Sequence, residues 1–411
     1  MHSRSAHRGR LVVVGANVAG LRAVEAARQA GFDGAVTLVG AEPHPPYNRP
    51  PLSKEFLRAD DGEPAPTFRG ADSLRSELDV DLRLGAPATA LDTGARTVTV
   101  GGEELAYTAA VLATGARART LPGSAGLGGV HTLRTLDDAR QIRAALVPGA
   151  RLVVIGAGFV GAEVAFTAQE SGLDVTVLEA APTPLVRAVG GEMGGALGAL
   201  LGRSGIELRC GVRVEALEGT GRVTSVRLAD GTSLPADLVV VGIGAEPATG
   251  WLAGSGIELD DGVVCDRRLR TTAPGVYAAG DVARWFNPAL DRTVRLEHWT
   301  TAAEQGALAA RNALDPAAAA DCSTVPYFWS DWGKHRIQFV GDPAADEVEV
   351  VQGDTGSDSF LALYRRGERL IGALGLNQRR AVVRLRTAIA RRATWSETRT
   401  ALSAPPIRTE A

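Results

Sequence analysis

Hydrophobic positions near the start of the chain form a short continuous run that ends in a glycine turn. Residues 10–20 read R-L-V-V-V-G-A-N-V-A-G, and apolar residues then recur at helical spacing through residue 30. A second apolar run occupies residues 35–39. A run of β-branched residues is typical of a buried parallel strand, and a glycine turn before a helical pattern is typical of a strand–loop–helix unit. The pattern therefore predicts the βαβ start of a doubly wound α/β domain.

A second copy of this pattern begins at residue 151 with R-L-V-V-I-G-A-G-F-V-G-A-E. In the first copy Gly15 allows the tight turn and Gly20 allows the helix to pack closely on the strand. Asn17 stands where the middle glycine is expected. Asparagine tolerates a left-handed backbone better than most residues, so the loop can form, but close approach of a phosphate is less favoured than at glycine. The second copy has the full G-x-G-x-x-G, at Gly156, Gly158 and Gly161.

Each copy continues to a predicted strand that leads to an acidic residue. Glu42 follows the run at 35–39, and Glu179 follows the run at 174–178, 18 residues beyond Gly161. A carboxylate at this position accepts a ribose hydroxyl and repels a 2′-phosphate. The second copy is therefore predicted to prefer NADH to NADPH, a preference that the nearby Arg187 could soften.

One glycine loop before a helix is weak support for a nucleotide site, because such loops also arise from packing alone. Two copies about 140 residues apart, each with strand, loop, helix, strand and acid, predict two bound dinucleotides. A nicotinamide delivers two electrons as a hydride and a flavin can release them singly. The pair of sites therefore favours an electron relay.

The composition sets limits on other functions. The chain has 411 residues, is 45% hydrophobic and carries a formal net charge of -3. This length predicts several domains, and the charge balance has no nucleic-acid signature. The absence of an apolar run of about 18 residues and the polar start favour a cytoplasmic protein with no membrane span. The arginine-rich stretch at 365–399 is either a solvated helix face or a surface for an acidic partner.

The cysteines and lysines are few. Cys210, Cys265 and Cys322 lie far apart without a C-x-x-C pair, so no disulfide framework, dithiol motif or metal site is predicted. Redox chemistry would then need a bound cofactor. Lys54 and Lys334 are the only lysines, which makes each of them a candidate for a role that arginine cannot fill.

Further motifs carry a family resemblance. V-L-A-T-G stands at 111–115 and G-V-Y-A-A-G-D at 275–281, in an order that resembles the FAD-dependent pyridine nucleotide reductases of the glutathione reductase structural class. Within that class, P-Y-N-R-P-P-L-S-K at 46–54 is similar to the flavin-side signature of the oxygenase-coupled ferredoxin reductases, of the putidaredoxin reductase and aromatic-ring dioxygenase type. V-G-I-G-A-E-P at 241–247, E-H-W at 297–299 and Y-F-W-S-D at 327–331 support this resemblance, which extends from about residue 11 to about residue 389.

The resemblance implies an α/β architecture with two Rossmann-like domains and a C-terminal α+β interface domain. The expected FAD domain (1–117 and 245–322) is interrupted by an NAD domain (118–244). Residues 323–411 form the expected third domain, with strand patterns at 336–340, 347–352, 360–365 and 370–376 and a helix at 378–392.

The resemblance also implies site residues. Lys54 would lie near the reactive edge of the isoalloxazine and pair with Glu163 as the catalytic pair; an ordinary surface ion pair is the alternative. Asp281 would bind the ribityl chain, and residues 297–299 would line the flavin mainly through backbone groups, so that His298 is not needed as a proton donor. The implied FAD-binding positions are Gly15, Ala19, Gly20, Glu42, Arg49, Lys54, Ala88, Arg119, Asp281, Glu297, His298, Trp299 and Trp329.

For the pyridine nucleotide, Phe159 would be either an aromatic gate over the nicotinamide or a packing residue. Trp329 would lie either on the electron path to a protein acceptor or in the core. The implied NAD-binding positions are Gly156, Gly158, Phe159, Val160, Gly161, Glu163, Glu179, Arg187 and Gly244.

The expected function is transfer of hydride from NADH to FAD and of single electrons to a 2Fe-2S ferredoxin that serves a haem-thiolate monooxygenase or a Rieske dioxygenase. No cysteine stands near residues 42–54, which argues against disulfide reductases and cysteine-dependent oxidases or peroxidases, because these need a thiolate against the flavin. A rubredoxin reductase or NADH oxidase is one alternative. An NADH-sensing flavoprotein resembling apoptosis-inducing factor is another, and the oligomeric state is left open.

Overall fold

The computed structural model describes residues 9–60 and 62–403, and these form two compact units. The first unit contains the described residues up to Pro51, those from 62 to Arg117, and Ala245–Thr324. The second contains Leu52–Asp60, Ala118–Gly244 and the described residues from Val325 onward. The short segment 52–60 therefore packs within the second unit, and the division into three domains remains a prediction.

The helices and strands of the described residues follow one another along the whole chain. The α-helices are α1 (Val18–Gln29), α2 (Glu55–Arg58), α3 (Ala71–Glu77), α4 (Leu136–Ala145), α5 (Phe159–Glu170), α6 (Val186–Val189), α7 (Gly191–Arg203), α8 (Trp299–Leu314), α9 (Arg379–Ala390) and α10 (Trp395–Ser403). The strands are β1 (Arg10–Val14), β2 (Ala35–Val39), β3 (Val80–Arg83), β4 (Ala88–Asp92), β5 (Thr97–Val100), β6 (Glu103–Ala106), β7 (Ala109–Leu112), β8 (Ala116–Ala118), β9 (Val130–Thr132), β10 (Arg151–Ile155), β11 (Asp174–Glu179), β12 (Glu207–Cys210), β13 (Val214–Gly219), β14 (Val223–Leu228), β15 (Ser233–Pro235), β16 (Leu238–Val241), β17 (Ala245–Pro247), β18 (Val263–Cys265), β19 (Val276–Ala278), β20 (Ala283–Asn287), β21 (Arg292–Arg295), β22 (Tyr327–Trp332), β23 (His335–Gly341), β24 (Glu347–Gly353), β25 (Phe360–Arg366) and β26 (Arg369–Leu376).

The first unit is built on a parallel sheet with strand order β19-β7-β1-β2-β3. β1 is central and pairs with β2 and β7 in register, for example Val12 with Thr37 and with Ala110. The four residues of β1 after Arg10 are at most 2% exposed. A central parallel strand is covered on both faces, which explains why its sequence is a continuous apolar run rather than an alternating one.

The second unit repeats this arrangement and adds an antiparallel sheet. Its parallel sheet has the order β12-β11-β10-β16-β9, with β10 paired to β11 and β16. The antiparallel sheet has the order β22-β23-β26-β25-β24 and packs against α9 through Val382 and Leu385. The predicted class, two Rossmann-like folds with a C-terminal α+β part, is confirmed. The strand β22 and the helix α10 were not predicted from the sequence.

Candidate functional site

The first glycine loop lies so close to the end of β7 and to the first turn of α1 that side chains do not fit at Gly15 and Gly20. Gly15 has a φ of +130°, and a Cβ there would lie 2.0 Å from the carbonyl oxygen of Ala113. A Cβ on Gly20 would lie 1.8 Å from the carbonyl oxygen of Gly15. Ala19, which lies on the first turn of α1 directly before Gly20, is buried. This geometry places the N-terminus of α1 at the carboxyl end of the parallel sheet. A dinucleotide pyrophosphate binds there in this type of fold.

Asn17 has a different role in this loop from the one its sequence position indicated. Its φ of -134° is extended rather than left-handed. Its Oδ1 accepts hydrogen bonds from the backbone N–H groups of Ala19, at 3.0 Å, and Gly20, at 3.3 Å. The expectation that Asn17 is tolerated for its left-handed conformation is therefore wrong, because it acts as the N-cap of α1. Asparagine directly before a helical pattern is a strong N-cap signal that could have predicted this.

Glu42, after β2, belongs to a charged cluster with Tyr47 and Arg49. Arg49 lies 2.6 Å from the Glu42 carboxylate and 2.8 Å from the Tyr47 hydroxyl, which itself donates to Glu42. Burial opposes the charge on Arg49, but Tyr47 and Glu42 outweigh it and raise the pKa of the guanidinium. The cluster fixes a permanent cation and a carboxylate at the edge of the first fold, a pairing suited to a phosphate and a ribose hydroxyl. Tyr47 was not predicted as part of it.

The residues around α8 complete the first unit's candidate site. The Trp299 indole donates to Asn48 at 2.9 Å, which ties the start of α8 to the 46–54 motif. Burial lowers the pKa of His298 to about 4, against the opposing pull of Asp281. His298 is therefore neutral at physiological pH, as its expected role without proton donation requires. The side chain of Glu297 pairs with Arg295 at 2.7 Å.

These observations fit a flavin dinucleotide in the first unit. The glycine loop excludes any side chain at Gly15 and Gly20, and the hydroxyl of Thr301, on the first turn of α8, is buried without a partner among the described residues. Ala88 lies at the start of β4, paired with Val100. The first unit holds ten of the predicted FAD residues: Gly15, Ala19, Gly20, Glu42, Arg49, Ala88, Asp281, Glu297, His298 and Trp299. Lys54, Arg119 and Trp329 lie in the second unit, and their contact with FAD remains a prediction.

The second glycine loop leaves its helix start open. Gly156 and Gly161 are as tightly placed as their counterparts in the first loop, with a Cβ at 2.4 Å from the Gly242 oxygen and 2.1 Å from the Gly156 oxygen respectively. Gly158 caps α5 without a side-chain hydrogen bond. Val160, on the first turn of α5, is 42% exposed. An uncapped helix N-terminus with free N–H groups is a suitable phosphate site.

Glu179 ends β11 beside this loop. Its two carboxylate oxygens accept the N–H groups of Ala157 and Ala181, each at 2.8 Å. The carboxylate is thereby held at the loop, where it can still accept a ribose hydroxyl through its remaining lone pairs. Arg187 lies exposed on α6, and the carbonyl oxygen of Gly244 accepts the N–H of Arg119 at 3.0 Å.

Lys54 and Glu163 form a mostly buried ion pair in the second unit. The ammonium lies 2.7 Å from the carboxylate, and the two side chains are 12% and 7% exposed. The same carboxylate also accepts the hydroxyls of Ser53 and Ser330 and the N–H of Asp331. Ser53 and Ser330 were not predicted, and no local sequence signal identifies them, since they come from segments far apart in the chain. A carboxylate with this many donors is held in one position.

Phe159 and Trp329, for which the sequence left two roles open, both lie in the second unit. Phe159 contacts Phe328 with ring centroids 4.6 Å apart and is half-buried. Trp329 is also half-buried, stacks on Tyr327 at 6.1 Å and has the Arg336 guanidinium 5.8 Å from its ring. Trp329 is therefore not a fully buried core residue, and Phe159 has a packing partner whether or not it also acts as a gate.

The comparison with family models identifies these folds. Residues 9–306 match the family described as pyridine nucleotide-disulphide oxidoreductase. The chain belongs to this family. Residues 327–410 match a further family described as reductase C-terminal. The resemblance that the motifs indicated is thus confirmed, and the family's two-dinucleotide architecture agrees with the duplicated glycine loops.

Within this family, the chain is similar to curated and structurally characterised ferredoxin reductases. The chain is 38% identical over 358 residues to the biphenyl dioxygenase system ferredoxin–NAD(+) reductase component of Paraburkholderia xenovorans (strain LB400), covering 86% of each chain. It is 33% identical over 381 residues to putidaredoxin reductase CamA of Pseudomonas putida, covering 90% of this chain and 88% of that one. The crystal structure of the covalent putidaredoxin reductase–putidaredoxin complex matches with a TM-score of 0.88, 32% identity and 93% coverage of each chain.

The family description includes disulphide chemistry, but the thiols of this chain are poorly suited to it. Cys210, Cys265 and Cys322 are free thiols. Burial raises the pKa of Cys322 to about 12 and raises that of Cys265 further. A thiol with such a pKa is not a nucleophile at neutral pH.

Within residues 9–60 and 62–403, no helix combines the length and the apolar character needed to cross a bilayer. The same part of the chain has no group of three or more His, Cys, Asp or Glu side chains arranged to hold a metal ion.

Proposed function

We propose that this protein is an NADH-dependent, FAD-containing reductase that passes electrons singly to a 2Fe-2S ferredoxin. The observation that carries the proposal is the presence of two glycine loops in one chain, each at the carboxyl end of a parallel sheet and each followed by a fixed glutamate. The names of the relatives, ferredoxin–NAD(+) reductase components of dioxygenase systems and a putidaredoxin reductase, support the acceptor. We place the ferredoxin upstream of a Rieske dioxygenase or a haem-thiolate monooxygenase, and the protein in the cytoplasm.

The first unit would bind FAD through its own residues. The α1 N-terminus and Arg49 supply positive charge for the pyrophosphate, and Glu42 supplies an acceptor for a ribose hydroxyl. Asp281 and the backbone at 297–299 would bind the ribityl chain and the flavin ring. FAD accepts the two electrons of a hydride together and releases them one at a time, which matches a nicotinamide donor to a one-electron acceptor.

The second unit would bind NADH. The open N-terminus of α5 at Gly158 receives the pyrophosphate, and Glu179 receives the ribose hydroxyls of the adenosine half. A 2′-phosphate would bring a second negative charge against Glu179, so NADH is the proposed donor rather than NADPH. Phe159, held by Phe328, would contact the nicotinamide.

Lys54 would contribute a positive charge next to the reduced flavin. Glu163 keeps the ammonium in one place and, by pairing with it, makes its burial tolerable. Ser53 and Ser330 act through Glu163 and are positioning residues in this proposal. Trp329 and Arg336 would belong to the surface that receives the ferredoxin, where arginines favour an acidic partner.

The test is NADH-driven reduction of a vertebrate- or plant-type 2Fe-2S ferredoxin by the FAD-loaded protein, with NADPH in parallel. The Lys54→Met variant should transfer electrons at least about tenfold more slowly, since it removes a charge that stabilises the reduced cofactor. Lys334→Met is the matched control, because Lys334 is the only other lysine, is 77% exposed and pairs with Asp358. Rapid flavin reduction without transfer to any ferredoxin would instead favour the NADH oxidase or NADH sensor, and rapid rubredoxin reduction would favour a rubredoxin reductase.

A further inference from the structure

Asn17 occupies the start of α1 with its own side chain. Its Oδ1 accepts the N–H groups of Ala19 and Gly20, and its Nδ2 donates to the carbonyl oxygen of Ala113 at 2.6 Å. Because one end of the amide accepts and the other donates, only one orientation of the side chain satisfies all three contacts. Asn17 therefore links the glycine loop to the end of β7 and also saturates two N–H groups that a helix start otherwise leaves free.

The corresponding position of the second loop shows the difference. Gly158 has φ -79° and ψ -175°, an extended conformation that any residue adopts, and no side chain caps α5. A Cβ at Gly158 would meet only the Gly242 oxygen, at 3.9 Å. Neither backbone strain nor crowding within the chain therefore requires glycine here. Because glycine has no side chain, nothing at this position competes for the N–H groups at the start of α5, whereas Asn17 occupies two such groups in the first loop.

We propose that Asn17 is an internal competitor of the FAD pyrophosphate at the N-terminus of α1. An incoming phosphate accepts hydrogen bonds from the first N–H groups of the helix. In this chain Oδ1 of Asn17 already accepts the N–H groups of Ala19 and Gly20, so FAD must displace it or bind with fewer partners. Asn17 thus stabilises the loop in the FAD-free protein and weakens the affinity for FAD. The inference rests on the proposed function, in which the first unit binds FAD.

The decisive variant is Asn17→Ala. It retains the Cβ already present, and alanine adopts the extended backbone of residue 17 without strain. Removing the cap should lower the dissociation constant for FAD by about three- to tenfold, the effect of one N-cap interaction. The apoprotein should at the same time melt at a lower temperature, so that the gap between the melting temperatures of the apoprotein and the FAD-loaded protein widens. FAD fluorescence during titration of the apoprotein measures the first quantity, and thermal unfolding measures the second.

Two further variants distinguish competition between Asn17 and FAD from a general loss of stability. Asn17→Ser restores a capping oxygen and should return the dissociation constant for FAD toward that of the parent chain. Thr135→Ala removes the N-cap of α4, where the Thr135 hydroxyl accepts the N–H of Asp138 at 3.1 Å. It should lower the melting temperature but leave the FAD dissociation constant unchanged.

An Asn17→Ala protein that binds FAD with unchanged or weaker affinity would overturn the inference, since Asn17 would then assist binding. If the variant apoprotein does not stay folded, the release rate of FAD from the loaded protein decides: slower release than from the parent supports competition, and equal or faster release overturns it. A parent apoprotein that binds no FAD would instead refute the flavoprotein assignment itself.

Discussion

The ammonium of Lys54 lies 2.7 Å from the carboxylate of Glu163, and both side chains are largely buried. α5 carries a second glutamate two turns further on, Glu170, which pairs with Arg58. Both pairs join α5 to the segment 52–60, but the side chains of Arg58 and Glu170 are 44% and 36% exposed. α5 therefore forms one buried and one exposed ion pair with the same segment, and the two pairs can be compared directly.

Glu163→Gln should destabilise the protein strongly. The change leaves a buried ammonium without its counter-ion, which costs about 3 kcal/mol. Glu170→Gln removes an exposed pair and should cost less than about 1 kcal/mol. Urea unfolding followed by fluorescence compares the two variants. Equal shifts in the unfolding midpoint would show that the Lys54–Glu163 pair is not an essential buried contact.

Glu179→Gln should weaken the discrimination between NADH and NADPH. The carboxylate that repels a 2′-phosphate becomes a neutral amide, so the ratio of kcat/KM for NADH to that for NADPH should fall by about tenfold or more. Steady-state kinetics with both nucleotides measures the ratio. Glu42→Gln makes the same change in the first fold and should alter FAD retention while leaving the nucleotide ratio within about twofold. A ratio unaffected by Glu179→Gln would remove this residue from the proposed NADH site.

Because His298 is held neutral in the folded protein, the free energy of unfolding should fall in mild acid. Its folded pKa of about 4 lies below the ordinary value of about 6.5, because burial disfavours the imidazolium. Between these values the unfolded chain binds a proton that the folded chain does not, so the free energy of unfolding falls as the pH drops from about 6.5 to about 4. Urea midpoints across this range should decline more gently in His298→Gln than in the parent.

The His298→Gln profile should be flatter but not flat. Burial also lowers the pKa values of His131 and His335, and these two residues keep their contribution in the variant. Parallel curves for the parent and the variant would show that His298 is not held neutral by the fold.

The thiols should be dispensable for electron transfer. Cys265 and Cys322 are buried with raised pKa values, and burial with the charge of Glu179 raises the pKa of Cys210. Iodoacetamide applied to the NADH-reduced native protein at neutral pH should leave the ferredoxin reduction rate within about twofold of the untreated rate. Mass spectrometry should find all three cysteines alkylated only after denaturation. Loss of activity with alkylation of one native cysteine would restore a thiol mechanism.

Local sequence patterns predicted the strands well where burial of apolar side chains determines the element. The strands predicted at 35–39 and 174–178 correspond to β2 and β11 almost residue for residue, because the valine and leucine side chains that dominate both segments are buried in the sheets. The sequence does not predict β22, because its buried positions include the polar Ser330 and its half-buried positions include the aromatic Trp329. The residues therefore do not alternate between apolar and polar. For Asn17 the decisive property is the capping ability of its side chain and not the tolerance of its backbone for a left-handed conformation.

By itself, the sequence determined the two nucleotide folds and the positions of their glycines and acids, because these residues lie close together in each βαβ unit. Motifs distributed along the chain indicated the family. The resemblance implied Lys54 as the partner of Glu163, but only the tertiary structure decided which other residues surround this carboxylate. Ser53 and Ser330 lie 110 and 167 residues from Glu163 in the chain, and no local pattern specifies which hydroxyl will reach a distant carboxylate. The structure also decided that Asn17 reaches Ala113, since that contact exists only when β7 lies beside β1 in the folded sheet.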